Sequence, residues 1–151
     1  MKLAEALIQR ADLQKRIAQL ESRMKQNAKV QEGDEPSENI EELLPQYDVL
    51  MDELEQLIIK INKTNNATAF NDTTLAESIT KRDCLKSKIR CLRELSEATT
   101  IQQERYTRNE IKFVRCVDMI KLQSLIDTFS KSYRELDVKM QGLNWTIDLL
   151  E

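Results

Sequence analysis

The side chains equipped for chemistry in this sequence are carboxylates, guanidinium and ammonium groups, and three thiols; there is no histidine among 151 residues. Without imidazole the chain lacks a histidine general base, a Ser-His-Asp triad, an HExxH zinc site and the Glu-x-x-His di-iron pattern of helical bundles. Two glycines cannot supply a phosphate-cradling P-loop or a dinucleotide fingerprint. The three cysteines, Cys84, Cys91 and Cys116, include no CxxC pair. Cys84 and Cys91 are seven apart and share a helix face, but two thiols make a poor metal site, so packing as small core hydrophobes is expected. Cys116 has Arg115 beside it as the one feature that would favour a nucleophilic thiolate.

Carboxylates at helical spacing offer metal chemistry. Glu38-x-x-Glu41 and Asp52-x-x-Glu55 have the look of the ExxE and ExxD pairs with which helical nucleotide pyrophosphatases hold Mg²⁺, a hard cation that takes oxygen ligands. The second pair runs in the wrong order and the first lies at a loop edge. A solvated acidic face is the stronger reading, and no metal, cofactor or catalytic residue is assigned. A helical metal-dependent nucleotide hydrolase is therefore the weakest of the functional readings, and the balance leans away from an enzyme.

Cations make the clearest cluster. Arg82, Lys86, Arg90 and Arg93 recur at steps of four, four and three, which puts them on one face of a helix. Arg105 and Arg108 follow in the next segment. These six are the candidate anion- or partner-binding residues. One reading makes them a nucleic-acid phosphate site; the other pairs them with the acidic residues Asp48, Asp52 and Glu55, within one chain or across a subunit interface. The second is favoured, because a chain of net charge −3 makes a poor non-specific nucleic-acid binder.

Four helices must position these groups. The first is expected over 2–29, where Leu3, Ala6, Arg10, Leu13, Ile17, Leu20 and Met24 alternate steps of three and four as a coiled-coil-like seam about 40 Å long. Arg10 interrupts that seam as a register-setting polar residue. The second is expected over 45–62, starting at Pro45, where a missing N–H costs nothing. The third should run over 74–98 behind a cap at Thr73 or Thr74, and the fourth over 118–142 behind Asp118. Alternation from Ile111 to Val117 predicts a short strand, for which residues 67–70 are the candidate partner. The fold class is thus mainly α, four long antiparallel helices in one domain, with a small two-stranded β element at about 67–70 and 111–117. The terminal LNWTIDLLE carries the only tryptophan and is expected to dock.

Charge is unevenly placed. Residues 1–30 hold seven basic and three acidic side chains, whereas residues 31–57 hold ten acidic and no basic ones. Opposite charges flanking the seams of the first two helices would select partner and orientation more than they would bind. Charge within the first twelve residues breaks any signal-peptide core, and no apolar run is long enough to span a bilayer. Reduced cysteines fit a cytoplasmic location.

MKLAEALIQRADLQKRI, QEGDEP, RYTRNEIKF and LNWTIDLLE, taken together, resemble the septicolysin-labelled family of small bacterial proteins over nearly the full length. The resemblance implies a helical intracellular protein of undefined activity, and the label suggests a cytolysin. The first hairpin tip, GDEPSENIEE, is suited to water rather than hydrocarbon and argues against entry into lipid. The reading that results is a non-enzymatic, homo-oligomeric helical scaffold or regulator, with a nucleic-acid-binding module on the basic stripe as the alternative.

Overall fold

The computed structural model describes residues 1–100 and 112–151. In chain order it contains α1 (Leu3–Gln26), α2 (Ile40–Ala67), β1 (Ala69–Phe70), β2 (Thr73–Thr74), α3 (Leu75–Ala98) and α4 (Met119–Asn144). The fold is mainly α with a small two-stranded antiparallel sheet. The chain forms two compact units, residues 1–76 with 141–151, and residues 77–140.

In the first unit α1 and α2 form an antiparallel hairpin, with Tyr47 reaching Glu21 near its loop end. The seam read from the first helix is what it buries, as Leu3, Ala6, Leu13, Ile17 and Leu20, against Leu43, Leu54, Leu57 and Ile61 from α2. Each fully buried Leu or Ile contributes about 1.5–3 kcal/mol, so this row dominates the unit's stability. The Arg10 side chain is half-buried, and its Nε has no hydrogen-bond partner among the described residues. Arg23 grips Glu38 through both Nε (2.9 Å) and Nη2, tying the end of α1 to the segment before α2. This contact holds the Glu38 carboxyl below its usual pKa, chiefly through the hydrogen bond from Arg23, with desolvation opposing and the Arg23 charge assisting.

Helix α2 starts five residues before the expected Pro45. Asn39 provides the stronger start signal: its side chain accepts from the Glu41 N–H at 3.0 Å, as an N-cap should. Pro45 then lies inside the helix, where it removes one hydrogen bond close to the helix start. The adjacent Gln46 side chain donates to the Glu42 carbonyl at 3.0 Å. Beyond α2, Asn71 adopts φ 52°, a left-handed conformation that asparagine tolerates, and lets the chain reverse in two residues. β1 therefore pairs with its immediate neighbour, Ala69 with Thr74 and Phe70 with Thr73. The strand expected over 111–117 is not its partner: residues 112–117 carry no strand, and residue 111 lies outside the described residues. A hairpin between adjacent segments closes at far lower entropic cost than a pairing forty residues apart.

The C-terminal segment docks on the same unit. Leu3 N–H donates to the Ile147 carbonyl and Leu149 N–H to the Met1 carbonyl, both at 2.9 Å. Lys2 Nζ meets Asp148 at 2.8 Å, and this hydrogen bond, with the Lys2 charge, lowers the Asp148 pKa. Leu150 N–H donates at 3.0 Å to Thr64 Oγ1, whose own proton goes to the Lys60 carbonyl at 2.8 Å. Thr64 is completely buried. Trp145 is 57% exposed; backbone hydrogen bonds and the Lys2–Asp148 pair make the attachment.

The second unit pairs α3 with α4. Asp118 caps α4, accepting from the Ile120 and Lys121 N–H groups at 3.0 and 3.1 Å. Ile89, Leu122, Ile126 and Met140 are buried in this unit, but Leu85, Leu92, Phe129, Tyr133 and Leu136 are only half-buried.

Candidate functional site

The half-filled seam between α3 and α4 opens into a cleft of about 850 Å³. Its α3 wall carries Lys86, Ile89, Arg90, Arg93, Glu94 and Glu97, and its α4 wall carries Ser130, Tyr133 and Arg134. A neighbouring hollow of about 330 Å³ shares Arg93, Glu97, Ser130 and Arg134 and extends to Gln123 and Asp127. The spacing that places Lys86, Arg90 and Arg93 on one helix face is why they arrive together; Tyr133 and Arg134, from the other helix, complete the basic and amphipathic wall.

The charges are unevenly satisfied. Arg90 lies 3.9 Å from Glu94, one turn on, with both side chains well exposed, so the pair contributes little. Lys86, Arg93 and Arg134 take part in no salt bridge among the described residues. The Ser130 hydroxyl is buried with no hydrogen-bond partner among the described residues, leaving a donor at the cleft wall. Ile89 supplies an apolar floor. Such an arrangement offers binding to a partly apolar, anionic surface, through contacts at several points rather than in one enclosed pocket.

Arg82 belongs to a different device. Its Nη1 donates to Asp137 at 3.2 Å and its Nη2 to Asp83 at 2.9 Å. Burial works against its charge, but the two carboxylates outweigh that and raise its pKa. It clamps α3 to α4 and is not free to bind a ligand. Lys88, six residues further along the helix, sits 4.2 Å from the centre of the Phe129 ring, a cation–π contact across the same pair of helices. Of the six residues that the sequence singles out, the cleft thus unites Lys86, Arg90 and Arg93, the clamp takes Arg82, and Arg105 and Arg108 lie outside the described residues. Arg134, Tyr133 and Ser130 escaped the sequence reading. Tyr133 falls in the apolar period of the last helix and Arg134 belongs to no basic stripe there, with Lys131 and Lys139 as its neighbours, so only the pairing of the helices reveals them.

The carboxylate pairs do not assemble. Glu38 is held by Arg23, and among the described residues no group of three or more His, Cys, Asp or Glu side chains is placed to hold a metal ion. Asp48, Asp52, Glu53 and Glu55 are exposed on α2 and enter no salt bridge among the described residues. The cysteines are not core residues: Cys84, Cys91 and Cys116 are all free and exposed. The period of seven fixes a common face for Cys84 and Cys91, and α3 turns that face to water. Among the described residues no helix is long and apolar enough to cross a membrane.

Residues 10–149 match the model of a family described as a family of unknown function, DUF6847. A crystal structure of a functionally unknown conserved protein from Corynebacterium diphtheriae has 40% sequence identity and a TM-score of 0.88, covering 99% of each chain. No curated protein is a significant match. Neither description refers to a septicolysin or to cytolysis.

Proposed function

The chain belongs to the DUF6847 family, and from the geometry of its second unit we propose that it acts as a non-enzymatic, self-associating helical scaffold or regulator in the cytoplasm. The observation that carries this reading is the incomplete seam of α3 and α4. Besides the open cleft, Leu95, Ile120, Leu125 and Val138 are exposed, the last at 71% and Ile120 at 84%. A unit of this size buries little apolar surface alone, and these exposed side chains add to the cleft as apolar surface open to a partner. No cytolytic role enters this reading: the loop between α1 and α2 presents exposed Glu32, Asp34 and Glu35, which hydrocarbon would reject. Light scattering behind a sizing column, at low and high salt, tests the proposal. A salt-resistant oligomer is expected, and a strictly monomeric species at tens of micromolar would overturn it.

One observation favours a second reading. Lys86, Arg93 and Arg134, around one cleft and in no salt bridge among the described residues, suit a phosphate backbone as well as an acidic protein. Binding of a nucleic-acid duplex whose affinity falls steeply with salt would support that alternative. Glu94 and Glu97 in the same wall weigh against it.

A further inference from the structure

We infer that the occupant of the α3–α4 cleft is helix α2 of a second copy of the chain. This rests on the self-association proposed above and names the two faces that meet. The seam of α2 faces α1, but a lateral strip remains open: Leu44, Met51 and Ile59 are 47, 38 and 50% exposed. Between them stand Asp48, Asp52 and Glu55, exposed and without salt bridges among the described residues. At 100° per residue these six positions fall within about a quarter-turn of one another and well away from the seam centred on Leu43, Leu54 and Ile61. The strip is therefore both apolar and anionic.

The cleft is its complement, apolar at Ile89 and Tyr133 and net cationic, with Lys86, Arg90, Arg93 and Arg134 set against Glu94 and Glu97. The charges also agree in spacing. Asp48, Asp52 and Glu55 are separated by four and then three residues, as are Lys86, Arg90 and Arg93. Two helices in parallel register would bring all three pairs level over about 10 Å. The lengths match too, since residues 44–59 span about 23 Å and residues 86–97 about 17 Å of helix. Opposed charges of this kind fix register and speed encounter, while the apolar contacts supply the binding. The acidic block of residues 31–57, with ten carboxylates and no cation, extends the attraction beyond the contact.

The test uses three variants of the full chain: Arg90→Glu with Arg93→Glu, Asp52→Arg with Glu55→Arg, and all four together. Helical content by circular dichroism confirms that each folds, since all four positions are exposed. Sedimentation equilibrium gives the association constant. Either pair of reversals should weaken self-association at least about tenfold by facing like charges. The fourfold variant should recover it, and the two double variants mixed should form a heteromeric complex through their intact acidic and basic faces. Association unchanged by both reversals, or lost without recovery in the fourfold variant, would overturn this docking and leave the self-association reading standing. A monomeric wild type would overturn both.

Discussion

Replacing Thr64 by valine should loosen the C-terminal segment while leaving the packing of α2 intact. Valine has the shape of threonine, and the site is fully buried, so no cavity forms. The Lys60 carbonyl loses the side-chain hydroxyl at 2.8 Å but keeps its place in the helical ladder. The Leu150 N–H, 3.0 Å from Thr64 Oγ1, loses its acceptor. A neutral hydrogen bond is worth about 1 kcal/mol net, rising to about 3 where the orphaned group stays buried. Leu150 is 40% exposed and its bond to Thr64 only partly buried, so the lower figure applies. For a chain of this size that is a fall in Tm of about 2–4 °C. Urea titration should show a lower midpoint with an unchanged slope, since the surface exposed on unfolding is the same. Thr64→Ser is the control. It keeps the hydroxyl and removes a buried methyl, for a loss of about 1 kcal/mol by another route. Amide exchange separates the two: Leu150 should exchange faster in the valine variant and near the wild-type rate in the serine variant. Equal exchange in both would refute the claim that this bond holds the tail.

Three further outcomes can be checked simply. Asp118→Ala removes the acceptor for two N–H groups at the start of α4 and should cost about 1 kcal/mol by chemical denaturation, whereas Asp118→Asn should cost little. Because Arg23 lowers the Glu38 pKa below its usual 4.5, the unfolded chain takes up this proton at the higher pH. The contribution is complete above that value and disappears as pH falls through the lower folded pKa. Wild type should thus exceed Glu38→Gln slightly in Tm at about pH 6, and the difference should shrink as pH falls below 4.5; an advantage that grew on acidification would contradict the assignment. Cys84, Cys91 and Cys116 are exposed, so a thiol reagent should titrate all three in the native protein as completely as in denaturant.

The helices were legible because their apolar residues recur at threes and fours, and that seam is what α1 and α2 bury. Asp118 was legible as a cap because its chemistry is local. Errors arose where two local signals competed. Pro45 is a good first residue, but Asn39 is a better cap, and the helix follows the cap. The β-branched run before Val117 has the strand period, yet a strand needs a partner, and Asn71 gives β1 a nearer one. The basic stripe was legible as a face, but not its division into a clamp and a cleft. That depends on Asp137 and Arg134, which only the pairing of α3 with α4 brings to it. The same limit hid the exposure of the cysteines, since periodicity states which residues share a side and not what that side meets.

The attachment of residues 1–3 to residues 147–149 has a consequence for the order of events during synthesis. The first unit is discontinuous in sequence, so the residues that complete it are translated after the whole of the second. The hairpin of α1 and α2 must wait on the ribosome with Leu3, Thr64 and Met1 lacking their last hydrogen-bond partners, while some seventy intervening residues emerge. Closing so long a loop costs about 4 kcal/mol in chain entropy, which the two backbone bonds, the Leu150–Thr64 bond and one salt bridge scarcely offset. With Trp145 and Leu150 exposed, the tail adds little apolar burial to that balance, which makes this strap a late part of the fold to lock and an early one to open.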